Sequence, residues 1–226
     1  MQFSVFMRVQ LVLIACSAVV LMMLFPVGGA IDLHLIAPWV DATGQFHHRD
    51  NWYLAKLNHV IVKNIIIGVY AVFFVLWLAS FKMTRLAAQR WQYGYMFWVS
   101  MLCTSIVGIL KSQSSHACPW NMTHPAAQGF VWDFSATHGH CFPGGHASTG
   151  FALMTGYFVY RATHHRRALF YLFAGLILGF AMGWAQMMRG AHFLSHNLWT
   201  GWWAWSINCL IYLWAARHLG TRQQHS

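Results

Sequence analysis

Six apolar runs, roughly 9–29, 58–80, 94–110, 147–160, 168–186 and 197–216, constrain this chain more than any motif in it. Runs rich in Leu, Val, Ile, Phe and Trp at this length approach the ~20 residues that an α-helix needs to cross the hydrocarbon of a bilayer. An isolated strand in lipid would leave its backbone polar groups unpaired, so each run is expected to be helical. Only 8% of the 226 residues are charged, about a third of the share in a soluble domain. The expected fold class is therefore all-α integral membrane, a six-transmembrane-helix bundle forming a single membrane domain, 1–226. The third and fourth runs are short and need interfacial residues to complete them. No internal repeat or low-complexity tract interrupts the pattern.

The basic balance is strong: 14 Lys and Arg face four acidic residues, Asp32, Asp41, Asp50 and Asp133, with no Glu. In a soluble protein this would point to nucleic acid. Here the cations fall between apolar runs, where they act as topology signals and contacts for anionic lipid, so no nucleic-acid partner is expected. Because Lys and Arg concentrate on the cytoplasmic side, an N-in/C-in arrangement places Arg8, Lys82, Arg85, Arg90, Arg161, Arg166, Arg167, Arg217 and Arg222 inside. Arg49, Lys56, Lys63, Lys111 and Arg189 then lie outside with all four aspartates. The first run resembles a signal-peptide core in position, but its length favours a retained helix. Segment 30–57, with Asp32, Asp41, His47, His48, Arg49 and Asp50, reads as a polar extramembrane loop.

Of five cysteines, Cys16, Cys103 and Cys209 lie inside apolar runs, where each reads as a small apolar thiol. Cys118 and Cys141 both fall in the exterior loop 111–146, which in a bacterium faces the oxidising periplasm. A disulfide between them would staple this loop just before Gly144 and His146. The alternative is two unpaired thiols.

Four features share the exterior face: Lys111 ending the third run, Gly144–Gly145–His146 opening the fourth, and Arg189 with His192 ending the fifth. Together they supply what phosphoryl transfer requires, namely cations for phosphate oxygens, approachable backbone N–H groups, a nucleophile and a proton donor. Gly144 and Gly145 carry no side chain to keep an anion from the backbone, and they precede a helix N-terminus that favours negative charge.

These residues resemble the phosphatidic acid phosphatase type 2 superfamily, whose three motifs are K-x6-R-P, P-S-G-H and S-R-x5-H-x3-D. Lys111 and Pro119 keep the frame of the first, with Cys118 at the arginine. Pro143, Gly145 and His146 keep the second, with Gly144 at the serine. His192 fits the third, with Gln186 at the arginine and His196 at the aspartate. The resemblance implies a phosphohistidine mechanism without cofactor or metal, in which His192 is the nucleophile and His146 the general acid. Lys111, Gly144 and Gly145 would bind the phosphate. Arg189, one helical turn beyond Gln186, is placed to supply the missing guanidinium.

An attacking imidazole needs its other nitrogen held in one tautomer. His196 cannot do this as an anion. The candidates are His196 as a neutral acceptor, a backbone carbonyl, or an exterior aspartate, Asp133 or Asp41. A rival reading is a histidine-ligated metal or haem protein, since His192 and His196 lie four apart and His146, His138 or His140 would complete a shell. His164–His165 adds a paired-histidine motif of the desaturase kind, but on the opposite side of the bilayer. A third reading is a catalytically silent lipid-binding relative. His59 and Lys63, one turn apart at the start of the second run, are either cavity-lining or interfacial. Trp199, Trp202, Trp203 and Trp205 read as packing and interfacial residues.

The sequence thus points to a membrane lipid phosphatase or phosphotransferase of the bacterial inner membrane, with its site facing the periplasm and a lipid phosphate as substrate. Phosphatidic acid, phosphatidylglycerol phosphate, prenyl diphosphate and lipid A phosphate all present the required group.

Overall fold

The structure, a computed structural model, describes residues 2–137 and 139–220 and is 72% helical. Helix α1 (Gln2–Leu24) ends where Pro26, Gly28 and Gly29 turn the chain into the short α2 (Ala30–Ile36). A π-helical segment, Tyr53–Val62, runs directly into α3 (Lys63–Ala79). The one-turn α4 (Thr84–Ala87) leads into α5 (Arg90–Gln113). After a long loop, α6 (Gly145–Phe151), a 3-10 turn (Ala152–Met154) and α7 (Thr155–Tyr160) form one interrupted rod. Helices α8 (His165–Met188) and α9 (Leu194–Gly220) complete the bundle.

Each expected apolar run is a helix, and four helical stretches are long and apolar enough to cross a membrane: Val5–Leu24, Tyr53–Ala79, Arg90–Gln113 and His165–Met188. The α6–α7 rod is shorter and lies inside the bundle. Helix α9 carries buried Ser195, His196, Asn197, Thr200, Ser206 and Asn208, which dilute its apolar character. The all-α expectation needs one correction. The loop between α5 and α6 contains a hairpin, β1 (Thr123–Ala126) and β2 (Gly129–Trp132), antiparallel with Thr123 opposite Trp132 and Ala126 opposite Gly129. The second run also begins earlier than expected, because the π-helical segment absorbs residues read as loop.

Small residues let the central helices meet backbone to backbone. A Cβ added to Gly150 on α6 would sit 2.6 Å from the Gly179 nitrogen on α8, so the two helices touch where neither has a side chain. Buried polar groups tie the remaining helices to this pair. The Tyr70 hydroxyl of α3 donates to the Thr149 carbonyl at 2.8 Å, and Ser100 Oγ of α5 donates to the Ala152 carbonyl at 3.2 Å. Helix α1 packs on α9, with Trp202 Nε1 donating to the Ile14 carbonyl at 3.1 Å and Trp205 Nε1 to Gln10 Oε1 at 3.0 Å. Many side chains on the outer surfaces of α1, α3, α5 and α8 are large, apolar and exposed, as a lipid-facing surface requires.

Candidate active site

The site forms where three chain segments meet at one end of the bundle: the last turn of α5, the start of α6, and the turn from α8 into α9. Lys111, in the last turn of α5, lies along Gly145, the first residue of α6. A Cβ built on Gly145 would stand 3.2 Å from Lys111 Cδ and 3.9 Å from Nζ, so glycine leaves the lysine its place. His146 follows on the first turn of α6.

His192 sits in the turn after α8 and is almost wholly buried, at 2% exposure. Burial holds its imidazole well below the ordinary histidine range, and the neighbouring Lys111, His196 and His146 push it further down. These four side chains therefore occupy one electrostatic neighbourhood. A neutral imidazole is the form that can act as a nucleophile.

The question of what orients His192 has a structural answer. Its Nδ1 lies 2.7 Å from the Cys141 carbonyl oxygen, which can only accept, so Nδ1 carries the proton and Nε2 keeps its lone pair. His196 Nδ1 is 3.4 Å from the same atom and is the weaker partner. The aspartates weighed for this role are engaged elsewhere. Asp133 accepts from Ser135 N at 2.9 Å and from Ser135 Oγ, and pairs with His124 at 3.5 Å. Asp41 accepts from Thr43 and Gln45 and pairs with His47 at 3.2 Å. Hydrogen bonding within these exposed turns lowers both carboxyls below the usual range, and neither supports the imidazole.

Cys141 is itself fixed. Its sulfur is at bonding distance from that of Cys118, with Cα atoms 5.1 Å apart across 23 residues, and its N–H donates to the His116 carbonyl at 2.9 Å. The pairing ties Cys118, near the start of the loop, to the residue that holds His192.

Sequence reasoning missed several residues of the surrounding frame. Asp32, on α2, is 2% exposed and accepts from the Ser195 N–H at 2.9 Å, from Ser195 Oγ, and from the Gly28 N–H at 3.0 Å. It satisfies N–H groups at the start of α9 that would otherwise lack acceptors. Desolvation raises its carboxyl above the usual range, against the hydrogen bonds to Ser195 and Gly28. Asn197 Nδ2 donates to the carbonyls of Gly183 and Phe193 at 3.1 and 3.2 Å, which locks the side chain. Its Oδ1 would be only 2.6 Å from a Cβ at Gly144. Glycine at 144, where the resembled motif has serine, is thus the residue that Asn197 permits. Gly144 also donates to the His196 carbonyl at 3.2 Å and accepts from Thr200 Oγ1 at 3.1 Å.

Arg189 does not complete the pocket. Its Nε donates to the Arg49 carbonyl at 2.7 Å, its Nη1 donates to Gln186 Oε1 at 3.2 Å, and its Cζ is 6.0 Å from the Trp120 ring. Burial lowers its basicity; the like charge of Arg49 adds to this and Asp50 opposes it. The guanidinium is therefore directed toward the 49–50 loop, with buried Gln186 as its link to the interior.

For the metal reading, the described residues contain no group of three or more His, Cys, Asp or Glu arranged to hold an ion. His138 and the side chain of His59, both weighed from sequence, lie outside what the structure describes. Comparison with curated proteins and with solved structures gave no match. The family model of the PAP2 superfamily matches residues 89–219, more than half of the sequence and every segment that builds this site, so the chain belongs to the PAP2 superfamily.

Proposed function

We propose that this protein is a membrane lipid phosphatase that hydrolyses a phosphomonoester or diphosphate at the extracytoplasmic face through a phosphohistidine at His192. Members of the superfamily are phosphatases, and four helices long and apolar enough to cross a bilayer support a place in the membrane. The observation that carries the finer reading is the 2.7 Å contact from His192 Nδ1 to the Cys141 carbonyl. It leaves Nε2 as the free nucleophile in the neighbourhood of Lys111 and His146.

In this scheme Lys111 and the backbone N–H of Gly145 hold the phosphate oxygens, while the Gly144 N–H, read from sequence as a phosphate donor, is taken by the His196 carbonyl. Nε2 of His192 attacks phosphorus while the P–O bond to the lipid breaks, and His146 gives its proton to the departing oxygen. Water then attacks the phosphohistidine, returns a proton to His146, and inorganic phosphate leaves. A lipid hydroxyl in place of water would make the same site a phosphotransferase. With α6–α7 and α9 completing six crossings, N-in/C-in, the site faces the periplasm of a bacterial inner membrane.

The test is phosphate release by the purified protein from phosphatidic acid, phosphatidylglycerol phosphate, prenyl diphosphate and lipid A phosphate, compared with His192→Ala. The expected result is vanadate-sensitive release from at least one lipid, lost in the variant. Equal rates for both proteins remove His192 from the mechanism. Bound lipid without release identifies a silent relative instead.

A further inference from the structure

The four carboxylates of this chain can be traced individually, and among the described residues none forms an ion pair with a lysine or arginine; of these cations, Arg49 and Arg189 are gathered on a single indole. Asp32 is occupied by Ser195 and Gly28, Asp41 by its own turn and His47, and Asp133 by Ser135 and His124. Asp50 acts on Arg189 from a distance, and among the described residues neither it nor any other carboxylate stands within ion-pair range of Arg49 or Arg189. Yet these two cations are held together. Arg49 Cζ lies 4.5 Å from the Trp120 ring centre and Arg189 Cζ lies 6.0 Å from the same centre.

The arrangement is built rather than incidental. Arg189 Nε is tied to the Arg49 backbone, the Arg49 N–H donates to the Phe46 carbonyl at 3.0 Å, and the Trp120 N–H donates to the Gly190 carbonyl at 2.9 Å. Phe46 in turn occupies the space beside Gly190 where a Cβ would be 2.5 Å from its Cγ. Three separate segments, 46–49, 120 and 189–190, are thereby locked so that like charges converge on one indole. Cation–π contact lowers the cost of that convergence without neutralising it. The place is the end of α8, the depth at which a crossing helix meets lipid headgroups, where Trp and Arg serve as anchors.

We propose that Arg49 and Arg189, seated against Trp120, form a second anion site that takes a phosphate group other than the one held by Lys111. Guanidinium forks match phosphate oxygens geometrically, and two of them distinguish a phosphate from a carboxylate or a zwitterionic headgroup. The group is either the headgroup phosphate of a neighbouring anionic lipid or a second phosphate on the substrate. The site itself stands on the geometry of these residues; only its second source rests on the phosphatase reading.

The experiment uses the full-length protein in detergent, as wild type, Arg49→Gln and Arg49→Lys. One arm measures retention of phosphatidylglycerol relative to phosphatidylcholine by native mass spectrometry, which needs no catalysis. The other measures inhibition of phosphate release by a lipid bisphosphonate relative to a lipid monophosphonate. A drop of about tenfold in phosphatidylglycerol preference in Arg49→Gln, partly restored in Arg49→Lys, is expected if a neighbouring lipid fills the site. Loss of a bisphosphonate preference with unchanged lipid retention assigns the substrate's own second phosphate. Both ratios unchanged in Arg49→Gln overturn the proposal. A protein that releases no phosphate from any lipid but loses lipid preference in Arg49→Gln keeps the anion site and refutes the phosphatase.

Discussion

Helix α5 ends in a cation at both extremities, and the two are treated in opposite ways. At one end, Arg90 Nη2 donates to the Ser80 carbonyl at 2.6 Å, its Nε donates to Ser80 Oγ at 3.2 Å, and its Cζ lies 4.3 Å from the Phe81 ring. It borders an apolar cavity of about 770 Å³ walled by Trp77, Trp91 and Trp98, and both of these hydrogen bonds go to Ser80 of the preceding turn. About 32 Å away, at 1.5 Å rise per residue, Lys111 is partly buried against Gly145, and among the described residues it has neither a carboxylate nor a hydrogen-bond acceptor. A partly buried cation without a partner is costly unless something else supplies the anion. The contrast teaches that Arg90 fastens the fold, and it supports the proposal that Lys111 takes the substrate phosphate.

Substitutions at the two ends should separate these roles. Removing the ammonium group in Lys111→Ala should lower kcat/KM for the lipid substrate by about 10²–10³-fold, the range for one donor to a developing anion, with little change in thermal stability. If activity survives, the comparison breaks at its more important end. Breaking the Cys118–Cys141 link should cost about 3 kcal/mol of stability by the loop-closure estimate. It should also lower kcat more than it raises KM, since Cys141 holds the proposed nucleophile His192; thermal melts and initial rates under reducing and oxidising conditions decide this.

Arg90→Ala should destabilise the protein by about 1–3 kcal/mol, the worth of charge-assisted hydrogen bonds, and leave kcat/KM unchanged. A loss of activity at constant stability would erase the distinction between the ends. Gly145→Ala places a methyl 3.2 Å from Lys111 Cδ, so kcat/KM should fall by about tenfold, the effect of displacing one positioned charge. Gly108→Ala, elsewhere on α5 with nothing within 4 Å of the added carbon, should be neutral for activity and stabilising by about 0.5–1 kcal/mol.

Protonation offers a finer probe. Because His192 has its proton affinity lowered on folding, the unfolded chain binds a proton that the folded chain refuses. Its contribution to stability is therefore complete above pH ~6.5 and declines as pH falls below that value. A pH series of melting temperatures for wild type and His192→Gln should diverge in slope only on the acid side. Parallel curves would mean that His192 is solvated.

The helices were legible because apolar residues cluster at membrane length; Lys111, His146 and His192 were legible because each brings its chemistry in its side chain, and Gly145 because it has none. What escaped the sequence had no such signature. A backbone carbonyl is common to every residue, so nothing in the letters marks Cys141 as the group that orients His192. Asp32 and Ser195 are 163 positions apart, and their pairing becomes visible only once α2 folds back over the start of α9. Arg189 was read one turn from Gln186, correctly for a helix, but local spacing could not reveal that Trp120 and the Arg49 carbonyl would draw its guanidinium toward the 49–50 loop. The hairpin at 123–132 lay in a loop whose two-residue turn, Ala127–Gln128, lacks the usual Asn-Gly or Asp-Gly signal.

The central claim is that His192, held by the Cys141 carbonyl, becomes covalently phosphorylated. The most direct measurement is rapid quench of the purified protein with a lipid substrate carrying radiolabelled phosphate, followed by recovery of labelled protein. The account predicts an acid-labile, base-stable adduct on His192 in the wild type, greater accumulation when the water-activating step is impaired in His146→Ala and the leaving group is good, and none in His192→Ala. Label on another residue, or label retained in His192→Ala, would contradict it.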